Sequence, residues 1–110
     1  MLGQLLPPKT ALTLLKKRIE SDINKKFDDF LLVYDKPNQS IEFHILDQIY
    51  PYEDRGAKLH SAIDSLLSMK LDKNHIIDIA VIDYKSKGKC CAKVAYRDAE
   101  GNKKQIELNI

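Results

Sequence analysis

The sequence predicts a single α+β domain: an antiparallel sheet with two helices packed on one face, in the order α-β-β-α-β-β-β. Three observations predict it. In two separate segments apolar residues recur at three- and four-residue steps, as along one side of a helix. Short runs rich in β-branched and aromatic residues stand between clusters of turn formers, as strands do. From residue 76 onward the chain alternates around two glycine-containing turns, the pattern of a three-stranded C-terminal meander. With 110 residues, the span 1–110 has the size of one domain.

The elements follow in order. Residues 1–8, with Pro7 and Pro8 at their end, read as a loosely ordered lead-in. The stretch TALTLLKKRIESDINKKF then predicts a helix with Leu12, Leu15, Ile19 and Ile23 on one side, Glu20 four residues after Lys16, and Lys25 and Lys26 at its negative end. FLLVY (30–34) and IEFHIL (41–46) predict strands separated by DKPNQS. Apolar residues on both parities of 30–34 predict a central strand covered on both faces. After a loop containing IYPYED (49–54), Leu59, Ala62, Ile63, Leu66 and Leu67 predict a second helix over roughly 55–70, with Asp54 placed to cap it. IIDIAVIDY (76–84), CCAKVAYR (90–97) and KQIELNI predict the meander, its turns KSKGK and DAEGN, with Ile106, Leu108 and Ile110 facing inward. No sequence repeat is visible.

Composition narrows the function. A chain 44% hydrophobic and 31% charged is that of a globular protein. No apolar run approaches the roughly 18 residues that cross a bilayer, so no membrane partner is expected. The start has no basic segment before an apolar one and does not fit a secretory leader. With Cys90 and Cys91 as its two cysteines, unpaired thiols favour a reducing, cytoplasmic setting. The net charge of +2 conceals a segregation: +4 over residues 1–26, −6 over 27–84 and +4 over 85–110. These blocks either neutralise one another in the fold or present a basic surface to a polyanion.

Few residues point to catalysis. Cys90 and Cys91 alternate across a strand and cannot easily share a metal; Cys90 reads as a core residue and Cys91 as a free thiol. His44, His60 and His75 fall in no metal-binding spacing, although His60 and Asp64 are a helical step apart. There is no phosphate loop and no nucleophile elbow, so no catalytic residue, metal or cofactor is assigned. Asp83-Tyr84-Lys85 resembles the D-x-K strand end of metal-dependent nucleases, and Asp47 or Asp78 would have to complete its metal site.

Two surfaces remain. A basic set formed by Lys16, Lys17 and Arg18 of the first helix with Lys85, Lys87, Lys89, Lys93 and Arg97 of the hairpin would track phosphates, with Tyr84 the one nearby aromatic. Lysines at such positions also guard sheet edges. A loop with Tyr50, Tyr52, Glu53 and Asp54 offers anchors to a partner protein if its rings are exposed, whereas loop tyrosines more often lid the core. The leading expectation is a small intracellular, non-catalytic binding or accessory protein, an adaptor, inhibitor or neutralising partner. A nucleic-acid-binding module is the second reading and a D-x-K nuclease the third; a homo-oligomer is compatible with all of them.

Overall fold

A computed structural model describes residues 8–53, 58–68, 71 and 74–110. The lead-in up to Pro7 and the capping and anchoring roles expected of Asp54 lie outside those residues.

Helix α1 runs over Pro8–Ile23, opening on a proline whose missing N–H costs nothing in a first turn. It ends four residues sooner than the sequence predicts. Asn24 takes the left-handed conformation (φ 55°), and the Lys25 N–H donates to the Glu20 carbonyl at 3.2 Å. This is the hydrogen bond that closes a helix through a left-handed residue. The chain then doubles back, so Phe27 is buried and its N–H donates to Glu20 Oε2 at 3.1 Å. Lys25 and Lys26 therefore lie beyond the helix.

Strands β1 (Phe30–Asp35), β2 (Ser40–Ile45) and β3 (Gln48–Tyr52) form one antiparallel meander. Helix α2 (Lys58–Ser68) leads to a second, β4 (Ile76–Tyr84), β5 (Cys91–Arg97) and β6 (Lys103–Asn109). The two join where β1 pairs antiparallel with β4, giving one six-stranded sheet in the order β3-β2-β1-β4-β5-β6. The observed order is α-βββ-α-βββ: the expected α+β domain and C-terminal meander, with one more strand in the first half. The topology repeats helix-then-three-strands twice although the sequence shows no repeat.

The added strand is β3, which occupies the expected tyrosine loop. It was hidden because its hairpin turn is Leu46-Asp47, both at positive φ (50° and 65°). Two left-handed central residues make the tight turn whose twist suits a hairpin, but Asn-Gly or Asp-Gly is the usual signal for it.

Both helices lie on one side of the sheet. Thr13 of α1 shares a 2.7 Å hydrogen bond with the Tyr84 hydroxyl of β4, and the Tyr34 hydroxyl of β1 donates to Asp64 Oδ1 of α2 at 3.0 Å. Tyr34 and Tyr84 project from that same side, as do Phe30, Leu32 and Ile82 between them. The core sits in this layer, where Phe30 stacks on Tyr84 at 4.9 Å. Leu12 and Ile19 of α1 and Ile63 and Leu67 of α2 are buried in it. On outermost β6 only Leu108 is fully buried; Ile110 is half-buried and Ile106 is 37% exposed. Ile106 has the expected parity, but it stands at the sheet margin.

Candidate functional site

The other side of the sheet carries no layer of its own among the described residues. Here the expectation that β1 is covered on both faces fails: Leu31 is 36% exposed and Val33 half-buried. Register places Val33 directly beside Val81 of β4, with Leu31 next along β1 and Ile79 (42% exposed) next along β4. Ala95 of β5 lies beside Ile79. On the other flank His44 of β2 separates Leu31 from Ile49 of β3, which is 57% exposed. Leu31, Val33, Val81, Ile79 and Ala95 form an apolar band across the middle of the sheet, and His44 interrupts it before Ile49.

Charged side chains frame the band. Glu42 lies beside Val33 on β2, with His44 Nε2 at 3.7 Å from its carboxylate. Lys93 lies beside Val81 on β5 and faces Glu107 of β6. At the far end Arg97 reaches Asp78 at 3.5 Å, where the ladder of β4 is irregular between Ile77 and Ile79. Cys91, half-buried on this face, has its thiol pushed up by burial and by the nearby carboxylates of Glu107 and Asp83. A raised thiol value means a smaller thiolate fraction, which works against reactivity. Cys90 is buried on the helix side, its sulfur accepting from the Lys85 N–H at 3.4 Å and holding the neck of the β4–β5 turn.

The expected basic surface is divided by the fold. Lys16, on α1, pairs with Glu20 at 3.2 Å and sits over the Phe27 ring at 5.5 Å, while Lys17 and Arg18 are exposed on the helix side. Lys93 and Arg97 project from the opposite, open face. Lys87 and Lys89 are exposed in the β4–β5 turn. Lys85 lies between two carboxylates, 3.6 Å from Asp83 and 4.0 Å from Asp29. The acidic middle of the chain thus partners part of the C-terminal basic end, through Lys85 and Arg97, whereas Lys16 pairs within its own helix. Tyr84 is buried against Phe30, so it offers no stacking surface beside these lysines.

The tyrosine segment is a strand rather than the expected loop. Tyr50 and Tyr52 point to the helix side of β3, opposite Phe43 and Ile41, and are half-buried against the core. Tyr52 meets Phe43 edge-on at 5.4 Å, and the Tyr50 hydroxyl hydrogen-bonds Gln48. Glu53 is exposed at the strand's end.

For the D-x-K motif, the carboxylate that joins Asp83 and Lys85 is Asp29, which sequence reasoning missed because it precedes β1. Its Oδ1 also accepts the Ser86 N–H at 3.0 Å. Asp78 is instead drawn to Arg97, and Asp47 sits in the β2–β3 turn, on strands roughly 10 and 14 Å across the sheet from β4. Among the described residues no three His, Cys, Asp or Glu side chains are grouped to hold a metal ion. None of the described helices is long and apolar enough to cross a membrane.

The open face itself was legible only as a signal misread: the both-parity apolar run FLLVY marks a strand whose second face wants cover that the described residues do not supply. Compared with protein-family models, curated protein sequences and solved structures, the chain matches none.

Proposed function

We propose that this is a small non-catalytic binding protein that acts through protein–protein contact, and that its docking surface is the open face of the sheet. The observation that carries this reading is the band Leu31, Val33, Ile79 and Val81. These are large apolar side chains at the centre of the sheet, opposite a fully packed core layer, with a rim of both charge signs. An apolar centre within a polar rim is the anatomy of a specific protein interface. The complementary partner is a protein presenting an apolar strip flanked by charge of both signs. The Tyr50, Tyr52 and Glu53 segment stands at one end of the sheet, with its rings turned to the core, and contributes at the margin rather than at the centre.

The test compares wild type, Ile79→Lys, and Arg18→Glu on the helix side as bait in affinity capture. The same three proteins are titrated against labelled DNA and RNA at roughly 50 and 200 mM salt, where phosphate binding is strongly salt-dependent. The expected result is a protein bound by wild type and Arg18→Glu but lost from Ile79→Lys, with no oligonucleotide binding. Tight, salt-sensitive oligonucleotide binding weakened by Arg18→Glu would overturn the reading in favour of a nucleic-acid module.

A further inference from the structure

The sheet has two edges, and they differ. On β3, the two-residue turn makes Ile45 and Gln48 a hydrogen-bonded pair, so the alternating ladder turns the backbone of Ile49 and Pro51 outward. Pro51 has no N–H to offer there, the usual way of blunting an edge. On β6 the phase follows from two bonds: Ile110 N–H to the Cys90 carbonyl and Asp98 N–H to the Asn102 carbonyl, each 3.0 Å. Even-numbered residues therefore bond β5, and Lys103, Gln105, Glu107 and Asn109 turn their N–H and C=O groups to the free edge.

The side chains of this edge are self-complementary. Within its own sheet Lys103 stands opposite Arg97, a like charge, whereas Glu107 stands opposite Lys93. An antiparallel second β6 centred on Gln105 sets each Lys103 against Glu107 of the second copy, twice over. Centring on Lys104 instead opposes two lysines; centring on Glu107 opposes two glutamates. Centring on Ile106 leaves Lys103 facing Asn109. In the Gln105 register, Ile106, 37% exposed on the helix side, becomes a diagonal neighbour of its own copy, within side-chain reach.

We propose that the chain associates with a second copy of itself by antiparallel β6–β6 pairing about a two-fold axis at Gln105. This extends the sheet across both molecules and leaves the open face free, so it does not depend on the docking role assigned to that face. A contact of one strand is small, so the dimer is weak and concentration-dependent.

Sedimentation equilibrium of the full chain over roughly 5–500 µM tests this, a range suited to small transient interfaces. The expected mass rises from 12.6 kDa toward twice that value. Lys103→Glu weakens the dimer by about tenfold or more through like-charge opposition. The double swap Lys103→Glu with Glu107→Lys restores it to near wild type. Gln105→Pro, which removes an outward donor and no β5 bond, abolishes it. Circular dichroism accompanies each variant, and if Gln105→Pro loses the fold the charge swaps decide alone. A monomer throughout the range, a dimer indifferent to Lys103→Glu, or a double swap as weak as the single one would overturn the proposal.

Discussion

At the scale of single residues, three side chains hold places that their type alone does not suggest. Leu46 is 59% exposed at the tip of the β2–β3 hairpin with φ 50°, a conformation that costs a branched residue about 1–2 kcal/mol. Leu46→Asn is expected to stabilise the protein by about 0.5–1 kcal/mol, since asparagine tolerates this backbone region. Urea unfolding checks it, and a loss of stability would mean that Leu46 makes a contact outweighing its backbone strain. Glu20 is the one charged side chain buried among the described residues. The Phe27 backbone N–H, then Lys16, hold its carboxyl below the ordinary value of 4.5, against the opposing effect of burial. Because the folded value lies below the unfolded one, this contribution is complete above 4.5 and is lost as pH falls through the folded value. Asp98, held low chiefly by the Asn102 N–H, adds a loss of the same sign. Melting curves between pH 7 and 3 are expected to fall less steeply below 4.5 for Glu20→Gln than for wild type. Equal slopes would remove Glu20 as a source of the acid sensitivity. Cys90, third, is buried, and its sulfur ties the turn that follows β4.

At the scale of elements, the two faces of the central strands carry opposite obligations. Ile82 on β4 is fully buried beneath the helices, and Ile79 on the same strand is 42% exposed on the open side. Ile82→Ala is expected to cost about 2–5 kcal/mol through a cavity. Ile79→Lys is expected to stay within about 0.5 kcal/mol of wild type, as surface changes do. Denaturant midpoints distinguish the two, and a large loss for Ile79→Lys would show that this side chain supports the fold rather than waiting for a partner. Most element types were legible because periodicity reports which side of an element is wet: the Leu12, Leu15, Ile19 spacing and the alternation of CCAKVAYR both carried through. What was not legible has specific causes. The end of α1 depends on Asn24 adopting a left-handed turn, and β3 on Leu46 and Asp47 doing the same, in residues with no glycine to announce it. Parity alone turns Ile106 inward, and parity does not say how far across a sheet the helices reach.

At the scale of the whole molecule, two helix-plus-meander halves meet at the β1–β4 pair and put all their helical cover on one side. That arrangement, which no local pattern encodes, decides where the candidate residues fall. It separates the basic run of α1 from Lys93 and Arg97, turns Tyr50 and Tyr52 to the core side, and leaves the apolar band of β1 and β4 open. Segregated charge along the chain becomes ion pairs in space, such as Lys85 with Asp29 and Asp83. The candidate surface was thus latent in FLLVY and IIDIAVIDY, but only the three-dimensional layering makes it a surface. The most direct test of its role is site-specific photo-crosslinking in the source cell, with a photoreactive phenylalanine at Ile79 on the open face and, as control, at Ser65, exposed on α2. A discrete protein adduct from position 79 and none from position 65 is the expected result. Adducts from position 65 alone, or none from position 79 beside nucleic-acid adducts elsewhere, would contradict an open-face docking protein.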